Sequence, residues 1–209
     1  MKVLILAGGF GTRISEESHL RPKPMIEIGE MPILWHIMKY YSSYGYNDFI
    51  ILAGYKQYVI KEYFANYFLH NSDVTFDLSN NQIRVPKPPA GLNTMTGGRI
   101  KRVQDYVGDE PFMLTYGDGV SNVDLDALVN FHHAHGKIAT ITTVSLAQQK
   151  GVLDIDENNQ IRAFREKERE DGAIINGGFM VFQPEVFNYL TDDRCVLEQE
   201  PMHRLAADG

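Results

Sequence analysis

Three short, largely apolar runs, each followed by a segment of helical length, constrain this chain more than any other feature. They fall at residues 3–7 (VLILA), 49–54 (FIILAG) and 112–118 (FMLTYGD). A run that is apolar at consecutive positions suits a strand covered on both faces, which is the condition of a parallel sheet. Helices are expected at 32–41, with Pro32 in the first turn, at 56–69 and at 125–135, where Asp124 is placed to cap. A fourth strand is expected at 137–144. Strands separated by helices imply βαβ crossovers and a doubly wound, mostly parallel α/β sheet. Beyond residue 150 the rhythm changes to short strands at 153–155, 161–164 and 178–182, then a helix near 202–207. These read as a partly antiparallel C-terminal extension. Residues 85–98, VPKPPAGLNTMTGG, hold three prolines and three glycines and read as irregular loop.

Bulk properties narrow the function classes. The 209 residues suit one domain, and 44% hydrophobic with 22% charged residues is an ordinary globular composition. A net charge of −7 disfavours a nucleic-acid partner, which needs a basic face. A single cysteine, Cys195, precludes an internal disulfide or a multi-cysteine zinc site. No apolar run reaches the ~20 residues of a membrane span. The N-terminal apolar run ends in glycines rather than a cleavage site, so a cytoplasmic protein is expected.

The first strand runs directly into Gly8-Gly9-Phe10-Gly11-Thr12-Arg13, and RPKP places Lys23 between two prolines. Glycines let backbone N–H groups approach phosphate oxygens closely, and the two cations could hold a polyanion. Alternatively, the stretch is a tight strand-to-helix turn beside two solvated cations. It is neither a dinucleotide fingerprint, since Ile14 stands where G-x-G-x-x-G needs its third glycine, nor a P-loop. A dinucleotide-dependent oxidoreductase is thereby disfavoured. Asp118, at the end of an apolar strand, is either a hard oxygen ligand for a metal or a turn residue. Gly97-Gly98 could be a backbone turn before a helix, and Lys101 and Arg102 a solvated face. His132, His133 and His135 read as surface residues near a helix C-terminus. His36 reads as a satisfied core histidine, and Cys195 as unreactive. The aromatic run at 62–68 suits core or a subunit interface, so a homo-oligomer is expected.

The pattern LAGGFGTRI…RPKPMIEIG resembles the N-terminal signature of the sugar-phosphate nucleotidyltransferases. Further blocks, EIGEMPILWHIMKYY, GYKQYVIKEYFANYF, TMTGGRIKRV, YGDGVSNVD, INGGFMVF and EQEPMHRLA, are similar to the glucose-1-phosphate cytidylyltransferase branch. The resemblance implies a Rossmann-like nucleotidyltransferase fold over residues 1–209. It also implies transfer of a cytidylyl group from CTP to glucose 1-phosphate, with Mg²⁺, for surface-polysaccharide deoxysugar synthesis. It assigns nucleotide binding to Leu6, Ala7, Gly8, Gly9, Phe10, Gly11, Thr12, Arg13, Lys23, Thr94, Arg99 and Gly117. Arg13, Lys23 and Lys167 would be catalytic, and Asp118 the metal ligand. Glu166, Lys167, Asn176 and Gly177 would take the sugar phosphate, with Glu198 and Glu200 as weaker matches. Glu168 departs from the family's E-K-P motif, leaving a solvated charged hairpin as an alternative for 165–171, and Asn176-Gly177-Gly178 alone is a turn signal. Family members continue into a segment with a second metal-binding aspartate, so either this sequence is truncated before it or the protein has half a metal site; a catalytically weak binding module is a further alternative. Another nucleotide or sugar phosphate remains an alternative substrate.

Overall fold

The computed structural model describes residues 1–9, 21–71, 83–84, 93–146, 152–155, 160–165 and 173–208. The strands are β1 (Lys2–Ala7), β2 (Glu27–Ile28), β3 (Met31–Pro32), β4 (Asp48–Ala53), β5 (Ile83–Arg84), β6 (Phe112–Tyr116), β7 (Ala139–Leu146), β8 (Val152–Ile155), β9 (Ile161–Arg165) and β10 (Ala173–Phe182). The helices are α1 (Ile33–Ser43), α2 (Gln57–Asn71), α3 (Thr96–Lys101), α4 (Gln104–Val107), α5 (Leu125–His135) and α6 (Glu200–Ala207). Six strands form one sheet in the order β5-β4-β1-β6-β10-β7. The first four are mutually parallel, and β10 runs antiparallel to both β6 and β7.

Alternation along the strands builds a core on each face. Val3, Ile5 and Ala7 of β1, with Phe49, Ile51 and Ala53 of β4, pack under Leu34, Ile37 and Tyr41 of α1, Ile60 of α2 and Leu125, Leu128 and Val129 of α5. Leu4, Leu6, Ile50, Leu52, Phe112 and Leu114 pack on the other face with Ile100 of α3, Val103, Val107 of α4, and Phe187 and Leu197. With both faces covered, polar alternation has no place, which is why these strands read as continuous apolar runs. The doubly wound architecture expected from the sequence is the one observed. The antiparallel part is interleaved rather than appended: β10 lies between β6 and β7, so the fourth expected strand is parallel to β6 without touching it.

Several local readings are corrected. The loop expected at 85–98 ends early, because Thr96, Gly97 and Gly98 already belong to α3. The glycines serve packing there: a Cβ on Gly97 would lie 2.6 Å from Cys195 Sγ, and one on Gly98 2.7 Å from Asp193 Cα. Lys101 is half-buried and tied down, whereas Arg102 lies on the exposed face expected of it. Lys101 Nζ donates to Phe187 O at 2.9 Å, and Arg102 pairs with Asp193. Asn176-Gly177-Gly178 is a bulge within β10, not a turn. Asp124 caps α5 as expected, accepting from Ala127 N. His36 is satisfied, its Nε2 lying 2.8 Å from Ile28 O, but only half-buried.

His132 is fully buried, contrary to the surface placement expected for it. It continues the stripe Leu125, Leu128, Val129, whose helical spacing turns it inward. Gln183 Nε2 lies 2.9 Å from its Nε2, and its Nδ1 lies 2.8 Å from Thr140 Oγ1. The amide donating to Nε2 leaves Nδ1–H to donate to the hydroxyl, a neutral imidazole. Burial, with His135 and His133 nearby, lowers its pKa to about 4. His133 is exposed and His135 half-buried.

Candidate active site

In an open α/β sheet the backbones diverge where successive crossovers turn opposite ways. Here β4 lies on one side of β1 and β6 on the other, so the switch point is at the carboxyl ends of β1 and β6. A cavity of about 290 Å³ opens there. Its walls include Leu6, Ala7, Gly8 and Gly9 after β1, Lys23 and Pro24, Asn93 to Thr96, Arg99, and Tyr116 and Asp118 after β6. The backbone between β1 and β6 is pulled tight by a bond from Gly117 N to Leu6 O of 2.9 Å. A Cβ on Gly117 would sit 2.9 Å from that same oxygen, so glycine is required at this point.

Arg99 is the central buried charge. It is 5% exposed, and its guanidinium donates to Ala53 O at 2.9 Å and Gly8 O at 3.2 Å. It thereby staples the end of β1 to the end of β4. A Cβ on Gly8 would lie 2.3 Å from its Cζ and one on Gly54 2.4 Å from its Nη1. Gly8 is therefore small because the arginine stands behind it, whereas a Cβ on Gly9 would meet open space. Desolvation, with Arg102 acting in the same direction, lowers the Arg99 pKa from its ordinary value. An arginine so placed stays cationic at neutral pH.

Lys23 starts a single 3-10 turn, Lys23–Met25, set by the flanking prolines and closed by Met25 N donating to Pro22 O at 2.8 Å. Its stem is largely buried, and Nζ lies 3.8 Å from Asp118 Oδ2. Two cations and one carboxylate thus face the cavity among the described residues, a balance suited to an anion.

The opposite wall is a hydrogen-bond chain. Glu198 Oε2 accepts from Thr96 Oγ1 at 2.7 Å, and its Oε1 from the Tyr116 hydroxyl at 2.6 Å. Asn176 Nδ2 reaches the same hydroxyl at 3.5 Å, while Asn176 Oδ1 accepts from Gly178 N at 2.8 Å. Burial, reinforced by Glu198, raises the Tyr116 pKa.

The fold brings Leu6, Ala7, Gly8, Gly9, Lys23, Thr94, Arg99 and Asp118 to one cavity, with Gly117 in its rim and Asn176 behind Tyr116. Gly177 sits in the β10 bulge, where a Cβ would lie 3.0 Å from Thr142 O. Phe10, Gly11, Thr12, Arg13, Glu166 and Lys167 lie outside the described residues. Thr96, Asn93, Pro24 and Tyr116 were missed from the sequence. The TMTGGR block could have indicated Thr96, whereas Tyr116 was hidden as the last residue of an apolar run.

Comparison with known proteins identifies the family. The nucleotidyl transferase family model matches residues 2–204. A glucose-1-phosphate cytidylyltransferase of Salmonella typhi is 53% identical over 220 residues, covering 100% of this chain and 85% of the relative. A D-glycero-alpha-D-manno-heptose 1-phosphate guanylyltransferase of Campylobacter jejuni is 32% identical, covering 90% of this chain and 78% of the relative. Among solved structures, HddC from Yersinia pseudotuberculosis complexed with GMP-PN superposes with a TM-score of 0.67 at 27% identity, over 95% of this chain and 84% of that one. The switch-point cavity and these matches lead to one conclusion: the chain belongs to the nucleotidyl transferase family.

Proposed function

We propose that the chain transfers a cytidylyl group from CTP to glucose 1-phosphate, giving CDP-glucose and pyrophosphate. The observation that carries the reading is the 53% identity over the whole chain to a glucose-1-phosphate cytidylyltransferase, against 32% to a guanylyltransferase. The cavity supports the reaction class. A strand-end glycine pair, a buried arginine behind it and a lysine facing it form a cradle for a nucleoside triphosphate.

In the proposed reaction an oxygen of the sugar phosphate attacks the α-phosphorus in line, a new P–O bond forms, and the α–β P–O bond breaks. The nucleophile is already ionised, so no general base is needed. The protein's work is positioning and charge stabilisation. Lys23 would neutralise charge on the phosphates, and Arg99 would hold the Gly8 backbone and add positive potential from behind. Arg13 and Lys167 are proposed to act on the triphosphate and the sugar phosphate.

Asp118 would hold Mg²⁺. The donor set fits: one half-exposed carboxylate faces the cavity, and Mg²⁺ is commonly held by one or two carboxylates together with substrate phosphates and water. When bound, the ion would supply charge neutralisation on the triphosphate. We extend the reading to a homo-oligomer whose product feeds surface-polysaccharide deoxysugar synthesis.

The test is pyrophosphate release from each of the four ribonucleoside triphosphates with glucose 1-phosphate, with and without EDTA. Release with CTP, abolished by EDTA, is the expected result. Release with another triphosphate alone, or CTP binding without release, overturns the proposal.

A further inference from the structure

We propose that Glu198 is a positioning residue that presets the sugar-phosphate wall of the cavity by holding Tyr116, and through it Asn176. The inference rests on the reading above for the identity of the substrate, and on the hydrogen-bond geometry for the device. Glu198 lies in the segment before α6, outside the cavity lining, yet its two oxygens bind two residues that do line it. Oε2 takes the Thr96 hydroxyl and Oε1 the Tyr116 hydroxyl. A carboxylate can accept both at once, whereas a shorter side chain could not span them.

The two walls depend on Glu198 unequally. The α3 wall has further ties to residues 192–197. Met95 N donates to Asp193 O, Gly98 N to Cys195 O, Leu197 N to Thr96 Oγ1, and Arg102 pairs with Asp193. The Tyr116 hydroxyl, among the described residues, has Glu198 as its acceptor and Asn176 as its donor. Asn176 is itself fixed at the β10 bulge by Gly178 N, and Tyr116 packs where a Cβ on Gly178 would lie 2.8 Å from its Cδ2. Removing Glu198 therefore leaves the nucleotide wall fastened and frees the Tyr116 hydroxyl to which Asn176 Nδ2 donates.

The experiment combines steady-state kinetics and denaturation on Glu198→Ala, Glu198→Gln, Tyr116→Phe and the Glu198→Ala/Tyr116→Phe pair. Glu198→Ala should raise the KM for glucose 1-phosphate about tenfold, the scale of a displaced positioning group, and leave the Kd for CTP within about twofold. Glu198→Gln, which still accepts from Tyr116 and can donate to Thr96, should recover most of the loss. The double variant should be no worse than Glu198→Ala in KM and in denaturation midpoint, because either change already cuts the Glu198–Tyr116 bond on which the wall depends. Equal losses for both substrates, or additive effects in the double variant, overturn the proposal. The additive case would mean that Glu198 meets the substrate directly. If the wild-type chain releases no pyrophosphate, the proposed reaction fails, while the denaturation cycle still decides whether Glu198 holds Tyr116.

Discussion

Gly98→Ala separates local propensity from tertiary packing, because the two predict opposite signs. Gly98 lies inside α3, where alanine is intrinsically favoured by about 1 kcal/mol. The new Cβ, however, would stand 2.7 Å from Asp193 Cα, 2.8 Å from Asp192 O and 2.9 Å from Asp193 O, when ordinary contact begins at 3.4 Å. All three atoms are backbone, so no side chain can swing away. The turn must retreat by about half an ångström or more. It is pinned by Met95 N to Asp193 O at 2.8 Å, Gly98 N to Cys195 O at 3.1 Å and Cys195 N to Asp192 O at 3.0 Å. Overpacking of this kind costs about 1–3 kcal/mol, and weakened hydrogen bonds about 1 kcal/mol more. After the helix gain is set against these, a net loss of about 2 kcal/mol remains. For a chain of this size that lowers Tm by roughly 4–8 °C. Gly119→Ala is the control, since its Cβ meets nothing within 4 Å. Differential scanning calorimetry of both variants decides the matter. A Gly98→Ala protein as stable as wild type, or more so, would show that the contact between α3 and the 192–195 turn does not constrain this position.

Three further outcomes are expected. Lys23→Ala should lower turnover about a hundredfold or more, the scale of losing one preorganised charge donor; near-normal pyrophosphate release would remove the lysine from the mechanism. Arg99→Lys should cost about 2–4 kcal/mol and weaken CTP binding measured by titration calorimetry, since an ammonium cannot bridge Gly8 O and Ala53 O as the guanidinium fork does. Wild-type stability in that variant would refute the staple. Because the folded pKa of His132 is about 4, below its ordinary 6.5, the unfolded chain binds the proton more readily. The neutral imidazole's contribution is therefore complete above about pH 6.5 and is lost as pH falls towards 4, on the order of 3 kcal/mol. His132→Gln should flatten that part of the wild-type stability curve in urea titrations at stepped pH, and an unchanged slope would exclude the histidine.

The sequence was legible wherever one local rule governed the outcome. The unbroken runs VLILA and FIILA could be satisfied only by strands covered on both faces, and Asp124 ahead of Leu125 could cap only one helix. The co-ordered blocks around Gly8, Lys23, Thr94, Arg99 and Asp118 likewise pointed to one site before any geometry was known. What the sequence left open was settled by contacts between distant segments. His132 faces inward because Leu125, Leu128 and Val129 set the buried stripe of α5, and Thr140 and Gln183 then satisfy its ring. Gly97 and Gly98 look like loop glycines until the 192–195 turn is seen packed against them. Strand β10 lies between β6 and β7, a choice of pairing that no local periodicity encodes. Arg99, which resemblance marks as a nucleotide contact, spends its donors on the two strand ends. Periodicity and spacing report what one segment requires of its surroundings. Which segment meets that requirement is a long-range matter of shape and hydrogen-bond satisfaction, and only the folded chain decides it.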